Sequence, residues 1–548
     1  MLVAATIFVT LCSQLRCFPT NCCNEIRFSL YPLIMPKTSS DRLFRLIKSL
    51  SATEKRYFKV FISAGGSKEN KYAALFDAID AQDVFDDDAL RHLVYGRQPL
   101  QSRKYSELKS YLYELVLKSL QAYDENSSID FKIKGLLQSV RALYKRAHFD
   151  DCLQLLVKAG KLAQEYEKFG SQLEVLQWEK QVAYSRGDIN GLDKRLAEIE
   201  AEETLCAEQL RNLNAYQNLF YESWLSIRKN ALRPQPEGAE YSLSQHPLLQ
   251  DERHALSHQA RVLYYRVRSI FSYAHKDYSG FYESSRLLIS IMETRPLMLR
   301  EDVSEYISAL SNYSVSCGYL GDYEGVRECL KKLRNVQPNT RDDELKIHRQ
   351  YYTNAFRLYI VTGAFEEGLK TLEQHLEEAQ LFDKEQFERS SFYFQYFYIY
   401  FGAGDFNKAL DYLNEWLRLP RSVERQDLQS LARILNLIIH YEMDNHLLLD
   451  SLLRSTHRFL NQHKSMLLFE VSLIHFLRKA IKASQPKEVL EALEHLRRDF
   501  ETLSENPAEN AMLQLFDFKS WIESKLTNKA FSSIVEEKYK QGLVSLKP

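Results

Sequence analysis

Apolar residues in this chain recur at intervals of three and four over most of its length, the spacing that places them on one face of a helix. Ser51-Ala52-Thr53-Glu54 reads as a capping box, with Ser51 accepting from the Glu54 amide and Glu54 reaching back. Behind it Tyr57, Phe58, Phe61 and Ile62 form an apolar stripe that Gly65-Gly66 stops. Tyr72, Leu75, Phe76 and Ile79 form the next stripe. Asp86 then caps a short helix carrying Leu90, Leu93 and Val94, ended by Gly96. The longest element places Tyr105, Leu108, Leu112, Leu115, Val116 and Ser119 on one face. Residues 35–125 therefore read as a helical head.

Beyond the head the pattern becomes a series of hairpins. Its clearest member runs from Phe392 to Leu419, where an aromatic helix and an amphipathic helix meet at Gly404-Asp405-Phe406. Similar turns stand at Ala147-His148-Phe149, Gly187-Asp188-Ile189, Gly321-Asp322-Tyr323 and Gly363-Ala364-Phe365. Looser copies stand at Lys276-Asp277-Tyr278, Asp444-Asn445-His446 and Gln485-Pro486-Lys487. The intervals 149–189, 323–365 and 365–406 are each about 40 residues, within the range of stacked helix pairs. The interval 189–278 is about twice that and predicts one divergent unit. Tyr216, Phe220, Trp224 and Ile227 would supply its first helix, and a Pro/Gly loop, Arg233 to Gly238 and on to His246-Pro247, would displace its second.

At these residues the chain resembles tetratricopeptide repeats. In that family a small residue opens the second helix, three positions after an aromatic that follows Gly-Asp, with a Tyr nine before it. Ala409, Phe406, Gly404-Asp405 and Tyr400 match, as do Gly368, Phe365, Gly363 and Tyr359; Pro420 and Pro338 approximate the closing Pro. The units are longer than the family's 34 residues, and its first-helix Trp-x-x-Leu-Gly is missing. The whole chain also looks like a family of bacterial helical-repeat proteins with no assigned activity. The resemblance implies an all-α fold, a right-handed superhelical array of helix hairpins (a tetratricopeptide-like α-solenoid) over 126–504, preceded by the head. Residues 505–548, starting at Asn506-Pro507, would be capping helices that close the last apolar face.

Bulk properties narrow the function classes. At 548 residues the chain exceeds one ordinary core, as an array would. A formal net charge of -1 argues against a dominant nucleic-acid or acidic-membrane role. Cys152, Cys206, Cys317 and Cys329 fall in helical patterns and read as buried apolar residues of a reducing, cytoplasmic setting. Cys12, Cys17, Cys22 and Cys23 crowd the first two dozen residues, without zinc spacing. Residues 1–34 read as an extension, either from a start codon chosen too far upstream or as a targeting segment, because composition changes abruptly at Met35.

Chemistry is sparse. No HExxH, Walker-type loop or dinucleotide fingerprint is present, and Gly65-Gly66-Ser67-Lys68 is too short to cradle phosphates. His254 and His258 sit one turn apart on an expected helix, but no third ligand accompanies them. Ser106-x-x-Lys109 has nucleophile spacing without partner motifs, and Asn126 and Asn312 stand in glycosylation patterns. We therefore name no catalytic residue, cofactor or metal, and expect no enzyme. The aromatic helix offers Tyr393, Tyr396 and Tyr400 as candidate partner-binding residues, against the alternative that all of them pack in the core. The leading expectation is a scaffold holding a protein or peptide segment on a repeat surface. The alternative is a transcriptional regulator, since the order of elements over 35–125 looks similar to the winged-helix heads of bacterial regulators. Against it, no strand pair for a wing follows Tyr123, and the reading helix would mix Glu107 and Glu114 with Arg103, Lys104 and Lys109.

Overall fold

The computed structural model describes residues 41–63, 71–95, 102–124, 128–186, 189–232, 246–382, 392–418, 426–462 and 467–542. The expectations for residues 1–34, Gly65-Gly66-Ser67-Lys68, Gly96, Asn126, the Gly187-Asp188 turn, the Arg233–Gly238 loop and Pro420 lie outside them. The described residues are all-α, with no strand among them.

Five helices form the head: α1 (Arg42–Ser49), α2 (Ala52–Ser63), α3 (Lys71–Ala81), α4 (Asp87–Tyr95) and α5 (Ser102–Asp124). The capping box at α2 is present: the Ser51 N–H donates to Glu54 Oε2 at 2.7 Å, and the Glu54 N–H to Ser51 Oγ at 3.3 Å. Phe58 and Phe76 stack with ring centroids 4.5 Å apart, at the centre of a core that also takes Leu75, Ile79, Leu112 and Val116.

The hairpins begin with α6 (Ile129–Tyr144), α7 (Phe149–Glu165) and α8 (Phe169–Arg186), followed by α9 (Ile189–Leu232). Then come α10 (Pro247–Gln250), α11 (His258–Ala274), α12 (Tyr278–Glu293), α13 (Pro296–Glu301), α14 (Val303–Leu320) and α15 (Tyr323–Asn335). The second half comprises α16 (Arg341–Thr362), α17 (Phe365–Ala379), α18 (Phe392–Gly402), α19 (Phe406–Arg418), α20 (Gln426–Glu442), α21 (His446–Gln462), α22 (Leu468–Lys482) and α23 (Pro486–Leu503). The chain closes with α24 (Pro507–Leu513), α25 (Phe518–Thr527) and α26 (Phe531–Lys540).

The recurring turn has one backbone solution. Gly321, Gly363 and Gly404 end their helices at φ of 75°, 75° and 82°, the left-handed conformation in which a Cβ is costly. Ala147, Lys276 and Asp444 occupy the same place with a side chain, at φ of 59°, 60° and 53°. Where an aspartate follows, its carboxylate caps the next helix: Asp322 Oδ1 accepts from the Gly325 N–H at 2.9 Å and Asp277 Oδ1 from the Gly280 N–H at 2.9 Å. The small residue opening the second helix is explained by contact. A Cβ on Gly325 would lie 2.8 Å from Cys317 Sγ, and one on Gly368 would lie 3.3 Å from Ile399.

Packing follows the pattern of stacked hairpins through the middle of the chain. Helix α14 packs on α15 and on α16; α16 packs on α17 and on α18; α17 also packs on α18. The divergent unit expected to take its first helix from Tyr216, Phe220, Trp224 and Ile227 has no separate helix there: residues 189–232 are one 44-residue helix. A single stripe, Ile199, Cys206, Leu213, Tyr216 and Leu219, is buried along it, so a break would gain no second apolar face.

The C-terminal helices do more than cap the end. Helix α25 packs on α23, but α26 returns to α16, and Phe531 lies against Phe365, Tyr398 and Phe401. One core joins Tyr352 to Val535.

Candidate functional site

Helices α14 and α16 share apolar contacts and, beside them, a buried polar row. Lys346 Nζ donates to Ser304 Oγ; Ser311 Oγ donates to Gln350 Oε1 at 2.6 Å and accepts from Asn354 Nδ2 at 3.0 Å. Ser311, Gln350 and Asn354 are all buried, and each is satisfied inside the seam. Lys346, Gln350, Asn354 and Arg357 succeed one another at intervals of three and four, so they form one row along α16. Two turns along α14 from Ser311 stands Tyr319, which brings the last member of the row, Arg357, beside it.

Arg357 differs from the rest of the row. It has no ion pair and no hydrogen bond among the described residues, whereas its neighbours are tied to α14. Its surroundings are phenolic. Tyr319 lies 4.4 Å from Tyr278 and 6.3 Å from Tyr273, ring centroid to centroid. Burial lowers the Arg357 pKa from its ordinary value, opposed by Tyr319 and Tyr273. The side chain is nevertheless partly reached by solvent.

Two further arginines, Arg266 on α11 and Arg349 on α16 itself, carry buried side-chain nitrogens. Arg266 on α11 is ion-paired to Glu305 on α14, and burial lowers its pKa, opposed by Asp302. Arg349, two turns before Arg357, is likewise lowered by burial and faces the charge of Asp342. Sequence reading missed all three, because a lone arginine on an amphipathic helix reads as solvated surface. The available signal was local: Arg357 sits between Phe356 and Leu358, both within a helix whose polar row is otherwise buried.

The three tyrosines singled out from the sequence are brought to one helix, α18, but into different settings. Tyr396 is buried, and its hydroxyl is hydrogen-bonded to His375 Nε2. Tyr400 is buried against Tyr412, rings stacked 5.5 Å apart at 9°, with Lys408 Nζ 5.2 Å from its centroid. Tyr393 is half-buried beside Tyr396 and Tyr412. Tyr398, not singled out, accepts the Asp517 N–H at 2.9 Å and ties α18 to the C-terminal segment.

His375 also belongs to a buried aromatic and ionic cluster. Its ring lies 4.9 Å from that of His348, and Glu378 approaches His348 Nδ1 at 3.4 Å. Burial pushes His348 down to about 4, with Glu378 opposing, and pushes His375 down to about 3, aided by His348.

The remaining candidates resolve into structure. His254 ends a short 3₁₀ turn and His258 begins α11, so they do not share a helix, and the His258 N–H is taken by Glu167 Oε1 at 2.8 Å. Lys109 donates to Asp87 Oδ1 at 2.9 Å and lies on the Tyr105 ring. No group of three or more metal-ligating side chains occurs among the described residues. Among the same residues no helix is long and apolar enough to cross a membrane. The four cysteines at 152, 206, 317 and 329 are buried free thiols. No family model, curated protein or solved structure matches this chain.

Proposed function

We propose that this chain is a non-enzymatic scaffold whose stacked hairpins hold a segment of another protein, with the partly exposed Arg357 end of the α14–α16 seam as part of the contact surface. The observation that carries this reading is Arg357: a partly exposed cation with no carboxylate partner, at the end of a row whose other members are paired. A partly exposed guanidinium with no carboxylate partner in the chain is free to pair with an acidic group brought by a ligand. Tyr393, half-buried on α18, is a further candidate contact, while Tyr396 and Tyr400 serve it through packing. The shared turn geometry and neighbour packing favour a tetratricopeptide-like, right-handed superhelical arrangement, working in the bacterial cytoplasm.

The test compares proteins captured by the full chain with those captured by an Arg349→Glu/Arg357→Glu variant of unchanged helicity. The reading expects at least one protein retained by the parent chain and lost from the variant. Identical capture by both, or none by either, contradicts it.

A further inference from the structure

We propose that the apolar shelf beneath α26 is a groove for an amphipathic helix of a partner protein, and that α26 fills it in cis until such a helix displaces it. The groove and its cis occupant stand on contacts within the chain; the foreign partner rests on the scaffold reading above.

The shelf is built from the recurring turns. Tyr323 follows the turn at Gly321, Phe365 follows that at Gly363, and Phe401 precedes that at Gly404. Helix α26 brings to it one stripe, Phe531, Ile534, Val535 and Tyr539, at the i, i+3, i+4, i+8 spacing of a helix that docks by one face. At its start the Phe531 ring centroid lies 5.9 Å from that of Phe365, 5.5 Å from Phe401 and 5.9 Å from Phe516. At its end Tyr539 meets Tyr323 edge-on at 5.3 Å, and its hydroxyl stands 3.5 Å from Arg327 Nη2, 212 residues away in the chain. Between these points the backbones come together: a Cβ on Gly363 would lie 2.7 Å from Glu536 N and 3.0 Å from Ser532 O.

A hairpin turn does not need this cover. The equivalent turn at Gly404 has the same left-handed backbone, and a Cβ there would meet nothing within 4 Å. Toward the shelf α26 offers rings, aliphatic side chains and close backbone, whereas its charged ties run to its own end of the chain. Lys538 Nζ donates to Ser520 Oγ at 2.7 Å and pairs with Glu523 at 3.2 Å, both on α25, and Glu537 pairs with Lys529 at 2.8 Å. A shelf held in this way accepts any helix that carries the same stripe. The tether is also slight. Asn528, at φ 53°, turns the chain out of α25, and Lys529-Ala530 leads directly into α26. Ten residues are too few to keep a helix folded once it is undocked, so release is a local unfolding that leaves the hairpins stacked.

The partner helix that fits has an aromatic residue, branched aliphatics three and four positions on, and a tyrosine at the eighth whose hydroxyl can accept from Arg327 Nη2.

The experiment uses the full chain and an isotopically heavy, fluorescent peptide of residues 529–542, with an Ile534→Asp/Val535→Asp form of the peptide as control. The same two substitutions in the full chain keep its own α26 off the shelf. This variant is expected to bind the parent peptide at least about tenfold more tightly than the parent chain does, because the tethered α26 competes at high effective concentration. The control peptide is expected to bind neither chain. Excess parent peptide is expected to speed hydrogen exchange of residues 531–540 in the parent chain, with α14 unchanged.

Absence of peptide binding by a variant of unchanged helicity would overturn the groove. Loss of the variant's cooperative unfolding would do the same, by making α26 an inseparable part of the core. Peptide binding that leaves exchange of residues 531–540 unchanged would overturn displacement. Dimerisation of the parent chain at the concentrations where peptide binds would give the groove to α26 of a second copy and overturn the foreign partner. Peptide binding as expected, with protein capture unaltered by Arg349→Glu/Arg357→Glu, would sink the scaffold reading and leave the groove and its cis occupant standing.

Discussion

Trp521 and Glu442 lie 79 residues apart and share a hydrogen bond, the indole Nε1–H donating to Glu442 Oε1 at 2.7 Å. The second carboxylate oxygen takes Lys525 Nζ at 2.5 Å, and the Glu442 side chain is only 7% exposed. One buried carboxylate at the end of α20 thus fixes α25, and with it the approach of the C-terminal segment to the hairpins. Removing one partner of such a group leaves the other unsatisfied. Glu442→Ala should therefore cost about 2–3 kcal/mol. A double-mutant cycle with Trp521→Phe in chemical denaturation should show coupling of about 0.5 kcal/mol or more, whereas strict additivity would mean the bond contributes nothing.

Gly363 and Gly404 occupy equivalent turns, with φ of 75° and 82°, but only one is covered. A Cβ on Gly363 would meet the Glu536 N at 2.7 Å, while one on Gly404 would meet nothing within 4 Å. Alanine at Gly404 should cost the backbone penalty alone, about 1 kcal/mol. Alanine at Gly363 should cost more than that and loosen α26, which hydrogen exchange of residues 531–540 would reveal. Equal costs and unchanged exchange would show that α26 does not dock closely there.

The His348–His375 pair makes an acid-sensitive centre. Both are held neutral, with folded values of about 4 and about 3 against an ordinary value near 6.5. Below pH 6.5 the unfolded chain binds protons that the folded chain refuses, so stability is fully present above that pH and falls as pH drops toward the folded values. Two such groups give a slope of up to about 2.7 kcal/mol per pH unit between roughly pH 6 and pH 4. Glu378 favours protonation of His348, and Arg334 and Arg349 oppose it. Denaturation at a series of pH values should show a shallower acid limb for His348→Phe/His375→Phe than for the parent; superimposable limbs would rule the pair out as the source.

Glu509 acts as a cap from outside the helix it serves. Its two carboxylate oxygens accept the Leu468 and Phe469 N–H groups at 2.7 and 3.0 Å, at the start of α22. The residue is 4% exposed, so Glu509→Ala strands two donors in a dry site. A loss of about 2 kcal/mol is expected, with Glu509→Gln recovering part of it. A loss of the ordinary surface size, about 0.5 kcal/mol or less, would contradict the capping role.

Local chemistry was legible in the sequence wherever local forces decide. The Gly-Asp-aromatic turns at 321 and 404, the Gly-Ala-Phe turn at 363, the capping box at Ser51 and the start of α24 at Pro507 all depend on residues a few positions apart. Asp444 and Lys276 were found because the following residues kept the pattern, although each forces a side chain into the left-handed region. Glu167, at φ 52°, escaped notice because its turn lacks Gly-Asp; its carboxylate is used instead on the His258 and Gln259 N–H groups. What the sequence concealed was contact between distant parts: the return of α26 to α16, the Glu442–Trp521 bond, and the neighbours of Arg357. A conspicuous run of tyrosines drew attention to α18, where most of the rings pack, while the unpaired cation lay in a helix noticed only for Tyr359.

The most direct measurement places a photo-crosslinking residue at Thr353, one turn from both Arg349 and Arg357, and another at exposed Glu373 on α17. In cells making the full chain, the account predicts a discrete protein adduct from position 353, none from position 373, and loss of the first when Arg357→Glu is added. Adducts of the same yield and identity from both positions, or an adduct at 353 that ignores Arg357→Glu, would contradict it.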